Sequence, residues 1–133
     1  MRLAKVPKWI ERVVVEAVHF DLVRTHGGKY GLRDERALDS ALARPRQLWS
    51  YADNPDLETL AAAYGHGLVR NHPFVDGNKR VAFEVLAIFL DRNGRDLQAP
   101  ESEVVTKMLE LAASQISETD FAAWLRLRNR TRR

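Results

Sequence analysis

Apolar residues recur at helical spacing through almost the whole chain, and this pattern limits the possible folds more than any other feature. The clearest segment, VAFEVLAIFL at 81–90, is interrupted by a charged residue only once, at Glu84. A helix that is apolar on nearly all sides is normally surrounded by other elements. No run alternates between apolar and polar residues as a half-buried strand does. We therefore predict an all-α bundle around a central buried helix at roughly 77–93.

Capping residues and breakers divide the chain into about six helices. Asp34 and Ser117 are typical N-cap residues, and Pro45 is expected to end the second helix. The third helix is expected to open at Asn54-Pro55, because proline is favoured at the first helical position. The predicted helices cover about 7–25, 34–44, 54–70 and 77–93, and two more begin near 100 and 117.

Length and composition restrict the class of protein. With 133 residues, no internal repeat and no linker-like stretch, we expect a single domain over 1–133. The absence of cysteine excludes a disulfide framework and a thiolate zinc site. The longest unbroken apolar run, 85–90, has six residues and is too short to span a membrane. Because the charged N-terminal segment also differs from a signal peptide, we expect a cytoplasmic protein without a membrane partner.

The net charge of +3 comes from the C-terminus. Residues 126–133 contain five arginines and no acidic residue, which leaves 16 basic against 18 acidic residues in the rest of the chain. This Arg-rich tail suits contact with nucleic-acid phosphates without sequence specificity. No helix-turn-helix pattern in the body supports that function, so a nucleic-acid-binding helical module is an alternative interpretation only.

The segment HPFVDGNKR, which begins at His72, combines groups suited to chemistry on phosphates. A histidine with an ordinary pKa of about 6.5 can accept a proton near neutral pH. Asp76 can bind a hard cation such as Mg²⁺, which usually needs one or two carboxylates. Gly77 lets the backbone at a helix N-terminus approach an anion, and Lys79 and Arg80 add positive charge for phosphate oxygens.

This segment resembles the motif of the Fic/Doc superfamily, and most closely that of its Doc (death-on-curing) branch. GLRD at 31–34, ALARP at 41–45 and FLDRNG at 89–94 have the order and spacing of that branch, and Trp124 stands where a late tryptophan is common. The resemblance implies a single Fic-type helical domain. It also implies the toxin of a bacterial or phage toxin–antitoxin pair. The implied partner is an inhibitory antitoxin on a separate chain, through which nucleic acid would be contacted only indirectly.

Two departures from the longer Fic motif favour phosphate transfer over AMP transfer. Lys79 replaces the second glycine, and Phe83 stands where a further arginine is common. In the Doc branch the γ-phosphate of ATP is transferred to a threonine of elongation factor Tu, which stops translation. The resemblance implies that His72 deprotonates this hydroxyl and that the catalytic Asp76 positions Mg²⁺ or helps to align the histidine and the phosphates. It assigns the binding of ATP phosphates to Gly77, Asn78, Lys79 and Arg80. Protein adenylylation by the same site is the alternative.

Two other expectations concern the surroundings of this motif. Fic-type folds carry a flap that docks the target segment, and the resemblance places it near 46–54 as a loop or short hairpin. Trp49 and Tyr51 in that stretch would either dock the target or cover the edge of the core. A metal-dependent phosphohydrolase using His66 together with the motif's own His72 and Asp76 is a further alternative, although no histidine directly precedes an aspartate in the chain.

Overall fold

A computed structural model of the chain describes residues 5–132. In this range the elements are α1 (Arg12–His26), α2 (Glu35–Tyr51), α3 (Leu57–Asn71), α4 (Asn78–Arg92), β1 (Arg95–Leu97), α5 (Glu101–Ala112), α6 (Glu118–Arg128) and β2 (Asn129–Thr131). The predicted all-α bundle of about six helices is confirmed. No helix among the described residues is long and apolar enough to cross a membrane. Two parts of the chain lie outside this range. They are residues 1–4, which begin the charged N-terminal segment, and Arg133, which ends the Arg-rich segment.

The hydrophobic core is centred on α3 and α4. Ten residues of α3 and seven of α4 are buried, so the predicted central helix shares the middle of the bundle with α3. Two glycines make this packing possible. A Cβ on Gly65 would lie 2.8 Å from Cδ2 of Leu86 in α4, and one on Gly67 would lie 3.3 Å from Ala41 in α2. Both neighbouring helices therefore approach the α3 backbone closely.

The helix caps agree with the sequence at two of three predicted sites. Asp34 accepts a hydrogen bond from a backbone N–H of α2 at 3.0 Å, and Ser117 accepts one from α6 at 2.9 Å. The third helix does not open at Asn54-Pro55. Asp56 caps it instead, because its carboxylate accepts from both the N–H and the hydroxyl of Thr59 at 2.8 and 2.6 Å.

Pro45 does not end α2, and the predicted loop or hairpin at 46–54 is wrong. The helix continues through the proline to Tyr51. A proline in a helix interior removes one hydrogen bond and costs about 3 kcal/mol. Leu38, Ala41 and Pro45 are all buried, and the packing of this face against α3 offsets that cost. Tertiary packing thus overrides a local helix-breaking signal.

The first helix begins at Arg12 rather than at Pro7. Before Arg12, backbone N–H groups donate hydrogen bonds to distant side chains and do not form helical hydrogen bonds with neighbouring residues. The N–H of Lys8 donates to Oδ1 of Asn93 at 2.8 Å, and the N–H of Ile10 donates to the hydroxyl of Tyr64 at 3.0 Å. These distant partners keep the segment extended, and they cannot be seen in local sequence.

The Arg-rich tail is part of the folded body. Its first residues complete α6, and β2 pairs antiparallel with β1. Strands of three residues are too short to show an alternating pattern in the sequence. Three of the tail's arginines form ion pairs with the body: Arg126 with Asp56, Arg128 with Glu103, and Arg132 with Asp91. The charge that suggested a nucleic-acid contact is therefore largely neutralised by acidic residues of the same chain.

Candidate active site

The motif forms a tight connection between the C-terminus of α3 and the N-terminus of α4. His72 is the C-cap of α3 and has a left-handed backbone, with φ 49° and ψ 56°. Gly77 is the N-cap of α4 with φ 79°, a conformation that favours glycine. The first backbone N–H groups of any helix lack intrahelical partners and attract anions. The loop therefore places an exposed imidazole next to a helix end of the kind that attracts anions.

The buried side chain of Asn78 holds the loop through hydrogen bonds to the Phe74 backbone. Its side chain is 6% exposed. Oδ1 accepts from the N–H of Phe74 at 3.0 Å, and Nδ2 donates to the carbonyl of Phe74 at 2.9 Å. The same Nδ2 lies 3.1 Å from Nδ1 of His72. Four residues were expected to bind phosphate, and Asn78 is the one among them whose side chain is hydrogen-bonded to other residues of the loop.

Lys79 and Arg80 project at the mouth of a cleft of about 710 Å³ beside α4. Both are exposed, and α4 has no acidic residue in its first turn. Volumes of about 300 to 1,000 Å³ are typical of small-molecule sites. The lining also includes apolar residues of β1 and α5 and two acidic residues: Leu97, Val104, Val105, Met108 and Leu109, with Glu84 and Glu101. The lining therefore combines two cations suited to phosphates with two carboxylates and an apolar surface from α5.

Asp76 is exposed and binds the segment that follows α1. Its Oδ2 accepts from the N–H of Lys29 at 2.9 Å, whereas no described residue bonds Oδ1. No group of three His, Cys, Asp or Glu able to hold a metal is found in 5–132. Magnesium in nucleotide sites takes one or two carboxylates together with phosphate oxygens and water. A single carboxylate oxygen beside the anion-binding helix end fits that requirement.

His19 supports the loop, although nothing in the local sequence marks it as a functional residue. It is 1% exposed, its ring stacks on Phe74 with centroids 4.0 Å apart, and its Nε2 donates to the carbonyl of Asp76 at 3.1 Å. Burial lowers its pKa. A lone histidine carries little signal in a sequence. The only local indication is its helical spacing from Val15, the other buried residue of α1.

Residues 28–34 lie against the first part of the motif, residues 72–76. Leu32 and Phe74 form an isolated β-bridge, and the backbone N–H of Arg33 donates to the carbonyl of Pro73 at 2.7 Å. The Arg33 side chain donates to the carbonyls of His72 and Asn71 at 2.7 and 3.0 Å. Arg33 thus caps the C-terminus of α3 where His72 leaves the helix.

The loop or hairpin expected at 46–54 as a flap is not present in the structure. Residues 46–51 are the last turns of α2, where Trp49 packs against the core and Tyr51 is exposed. The non-helical segment beside the motif is 27–34 instead. Its GLRD stretch was noticed in the sequence, but only the fold shows that it is bound to the motif backbone.

The histidine invoked for a phosphohydrolase site lies elsewhere. Nδ1 of His66 is 3.1 Å from the carboxylate of Glu118 in α6, and burial lowers the pKa of this imidazole. Among the described residues it does not join His72 and Asp76 in a metal-binding group. The structure therefore offers no support for that alternative.

Comparison with known proteins agrees with this geometry. The family model described as the Fic/DOC family matches residues 9–90, which include the whole motif. Toxin Doc from Mycolicibacterium smegmatis is 36% identical over an alignment of 107 residues that covers 73% of this chain and 82% of that protein. Protein kinase doc from Escherichia phage P1 is 31% identical over 111 residues, which are 83% of this chain and 86% of that protein. The chain belongs to the Fic/DOC family.

Proposed function

We propose that this protein is a Doc-type toxin that transfers the γ-phosphate of ATP to a threonine hydroxyl of elongation factor Tu. The observation that carries the proposal is the placement of exposed His72 beside a cationic helix N-terminus in one loop. One relative is named a toxin and another a protein kinase. Arrest of translation in the cytoplasm, where this target acts, belongs to the same proposal.

The phosphates of ATP would bind at the start of α4. Gly77 gives access to the free N–H groups of the helix, and Lys79 and Arg80 supply positive charge at the mouth of the cleft. Asp76 would hold Mg²⁺, which neutralises charge on the phosphates. Phosphoryl transfer depends mainly on positioning and electrostatic stabilisation, and a dense polar loop on a buried helix supplies both. His72 would face the target hydroxyl.

The target segment would lie along 27–34. This segment is held against the motif backbone by main-chain hydrogen bonds. Tyr30 within it is 60% exposed and stacks on His19, at a centroid distance of 5.3 Å. An exposed aromatic ring beside the reacting loop suits docking of a protein target. We assign to 27–34 the flap role that the resemblance placed at 46–54.

The apolar part of the cleft would receive the antitoxin. Val105 and Leu109 in α5 are both about half exposed, at 52% and 51%. An amphipathic segment of a separate chain could bury them in the cleft. Because the same cleft includes Lys79 and Arg80, a segment seated there would also block the phosphate site.

Labelled ATP tests the proposal directly. Purified elongation factor Tu is incubated with the protein and with ATP labelled at either the γ or the α position. We expect label from the γ position only, and a rate at least about 100-fold lower for His72→Ala, since a positioned catalytic histidine commonly contributes that much. Thermal unfolding confirms that the variant is folded. Label entering from the α position would replace this proposal with AMP transfer.

A further inference from the structure

A buried histidine of α1 lies against the peptide group that precedes α4. His19 is 1% exposed, and its Nε2 lies 3.1 Å from the carbonyl oxygen of Asp76. Because a carbonyl oxygen only accepts hydrogen bonds, Nε2 is the donor. A Cβ built on Gly77 would lie 4.0 Å from Cδ2 of the same ring. The imidazole therefore contacts both residues of the peptide that joins Asp76 to Gly77.

Two aromatic rings stack on this imidazole. The centroid of Phe74 is 4.0 Å away with the planes 19° apart, and that of Tyr30 is 5.3 Å away with the planes 25° apart. A phenylalanine in place of His19 could make both stacks. Burial of a polar ring also costs free energy unless its N–H finds an acceptor. The hydrogen bond to Asp76 is therefore the feature that distinguishes histidine from phenylalanine at this position.

This hydrogen bond sets the direction of a backbone N–H. A trans peptide is planar, and its C=O and N–H point to opposite sides. The carbonyl of Asp76 points toward His19 in α1, so the N–H of Gly77 points away from it. In the described part of the chain no acceptor binds that N–H. Gly77 lines the cleft, whereas His19 does not. The Gly77 N–H is thus a free donor whose direction His19 determines.

We propose that His19 is a positioning residue that turns the Gly77 N–H toward the phosphates of ATP in the cleft. This inference rests on the proposed function, in which those phosphates bind at the start of α4. His19 does not touch the nucleotide and acts through the peptide between Asp76 and Gly77. Without its donor this peptide is free to rotate, because Gly77 has no Cβ to restrict the backbone, and the N–H loses its fixed direction.

The carboxylate of Asp76 is held by a separate contact. Its Oδ2 accepts from the N–H of Lys29 at 2.9 Å. This approach needs a glycine at the preceding position, since a Cβ on Gly28 would lie 3.4 Å from the same oxygen, at a φ of 101°. Loss of the His19 donor should therefore disturb the peptide after Asp76 more than its carboxylate. We expect the effect on ATP binding to be the same with and without Mg²⁺.

Two substitutions separate the donor of His19 from its ring. His19→Phe keeps a flat ring for both stacks but has no N–H. His19→Gln has an amide nitrogen that can donate from about the position of Nε2. Calorimetric titration measures the affinity of the full chain for ATP, with and without Mg²⁺. We expect His19→Phe to bind ATP about 10-fold more weakly in both conditions, as loss of one hydrogen bond to a charged group implies, and His19→Gln to stay within about threefold of wild type.

Three results would overturn the proposal. They are unchanged ATP affinity in a folded His19→Phe protein, equal losses in both variants, and a loss that appears only with Mg²⁺. The last would mean that His19 acts on the carboxylate of Asp76. His66→Phe is the matched control, because His66 binds Glu118 and does not line the cleft. It should lower stability in urea unfolding and leave ATP affinity unchanged.

Amide spectra of the ¹⁵N-labelled wild type test the same point without any variant. We expect addition of ATP to shift the Gly77 signal, because its N–H would donate to a phosphate oxygen. A Gly77 signal that stays in place when ATP binds overturns the proposal, even if no variant folds. If the wild type binds ATP but phosphorylates nothing, the proposed transfer fails, while the affinities and the spectra still decide the role of His19. A wild type that does not bind ATP overturns both.

Discussion

His72 has a backbone conformation that costs a non-glycine residue about 1–3 kcal/mol, and Arg33 provides the contacts that stabilise it. The guanidinium donates to the carbonyls of residues 71 and 72, at the negative end of the α3 dipole. These bonds orient the last turn of α3 and so the imidazole that follows. At this scale the candidate site depends on a residue outside the motif, about 40 positions earlier in the chain.

Arg33→Ala should lower catalysis more than stability. We expect phosphate transfer to fall by about 10-fold, because His72 is no longer held. Exposed hydrogen bonds contribute little, so the free energy of unfolding should fall by about 1 kcal/mol. Labelled-ATP kinetics and urea unfolding measure the two effects. Arg36→Ala, which removes an exposed arginine on α2, is the matched control, and equal rates for both variants would contradict a positioning role for Arg33.

At the level of elements, α3 is packed between α2 and α4, and two of its glycines face close neighbours. Gly65 faces Leu86, and Gly67 faces Ala41. The same close packing explains why α2 continues through Pro45, because burial of its face against α3 offsets the lost hydrogen bond. The separation of α3 and α4 also determines where the loop between them can lie, so helix packing and site geometry are linked.

Gly65→Ala should destabilise the protein despite the better helix propensity of alanine. Propensity favours the change by about 1 kcal/mol, whereas overpacking of a tight core costs about 1–3 kcal/mol. The new Cβ would lie 2.8 Å from Cδ2 of Leu86, so we expect a net loss of up to about 2 kcal/mol in urea unfolding. In a Leu86→Ala background the same substitution should cost less, since the overlapping atom is absent. Equal costs in both backgrounds would show that Leu86 is not the cause.

For the whole molecule, ion pairs tie the C-terminal segment to the body. Asp56 caps α3 and also binds Arg126 of α6, with Nε and Oδ2 2.7 Å apart. Burial alone would raise the pKa of Asp56, but hydrogen bonds from Arg126 and Thr59 lower it to about 2. The pair therefore joins the start of one helix to the end of another.

Asp56→Asn should reduce the loss of stability in acid. The carboxylate has a lower pKa in the folded state than its usual 3.8, so its contribution is present above about pH 4 and lost as the pH falls toward 2. Asparagine can still cap the helix but does not titrate. Urea unfolding at several pH values should show a shallower decline between pH 4 and 2 for the variant. Asp53→Asn, an exposed carboxylate before the same helix, is the control, and an unchanged slope in Asp56→Asn would refute the assignment.

Removal of residues 129–133 should weaken the fold and leave phosphate transfer largely intact. The deletion removes β2 and takes the Asn129 amide away from buried Glu58, which keeps Arg95 as its partner. We expect a loss of about 1–3 kcal/mol in stability and a change in rate of about threefold at most. If phosphate transfer were lost while stability stayed unchanged, residues 129–133 would instead be part of the active site. Arg130→Gln removes one positive charge of β2 without deleting the strand, and so tests the effect of charge separately.

The periodicity and caps of the sequence were enough to predict six helices, because amphipathic spacing and side-chain capping are local effects. Local spacing also predicted the motif, since its residues are adjacent in the chain. The predicted start of α1 and the predicted end of α2 were wrong. Contacts with Tyr64, Asn93 and the surface of α3 outweigh the local signals there. These competing contacts join residues that are far apart in sequence.

The sequence alone determined the fold class and the groups available for phosphate chemistry, since both follow from residue types at short spacing. Only the tertiary structure decided that 28–34 lies on the motif, that His19 and Arg33 support it, and that three arginines near the C-terminus pair with acidic residues of the body. It also decided which way the Asn78 amide points, because both of its polar atoms bind the backbone of Phe74. Hydrogen-bond direction depends on where the backbone of Phe74 lies, and no linear pattern specifies that.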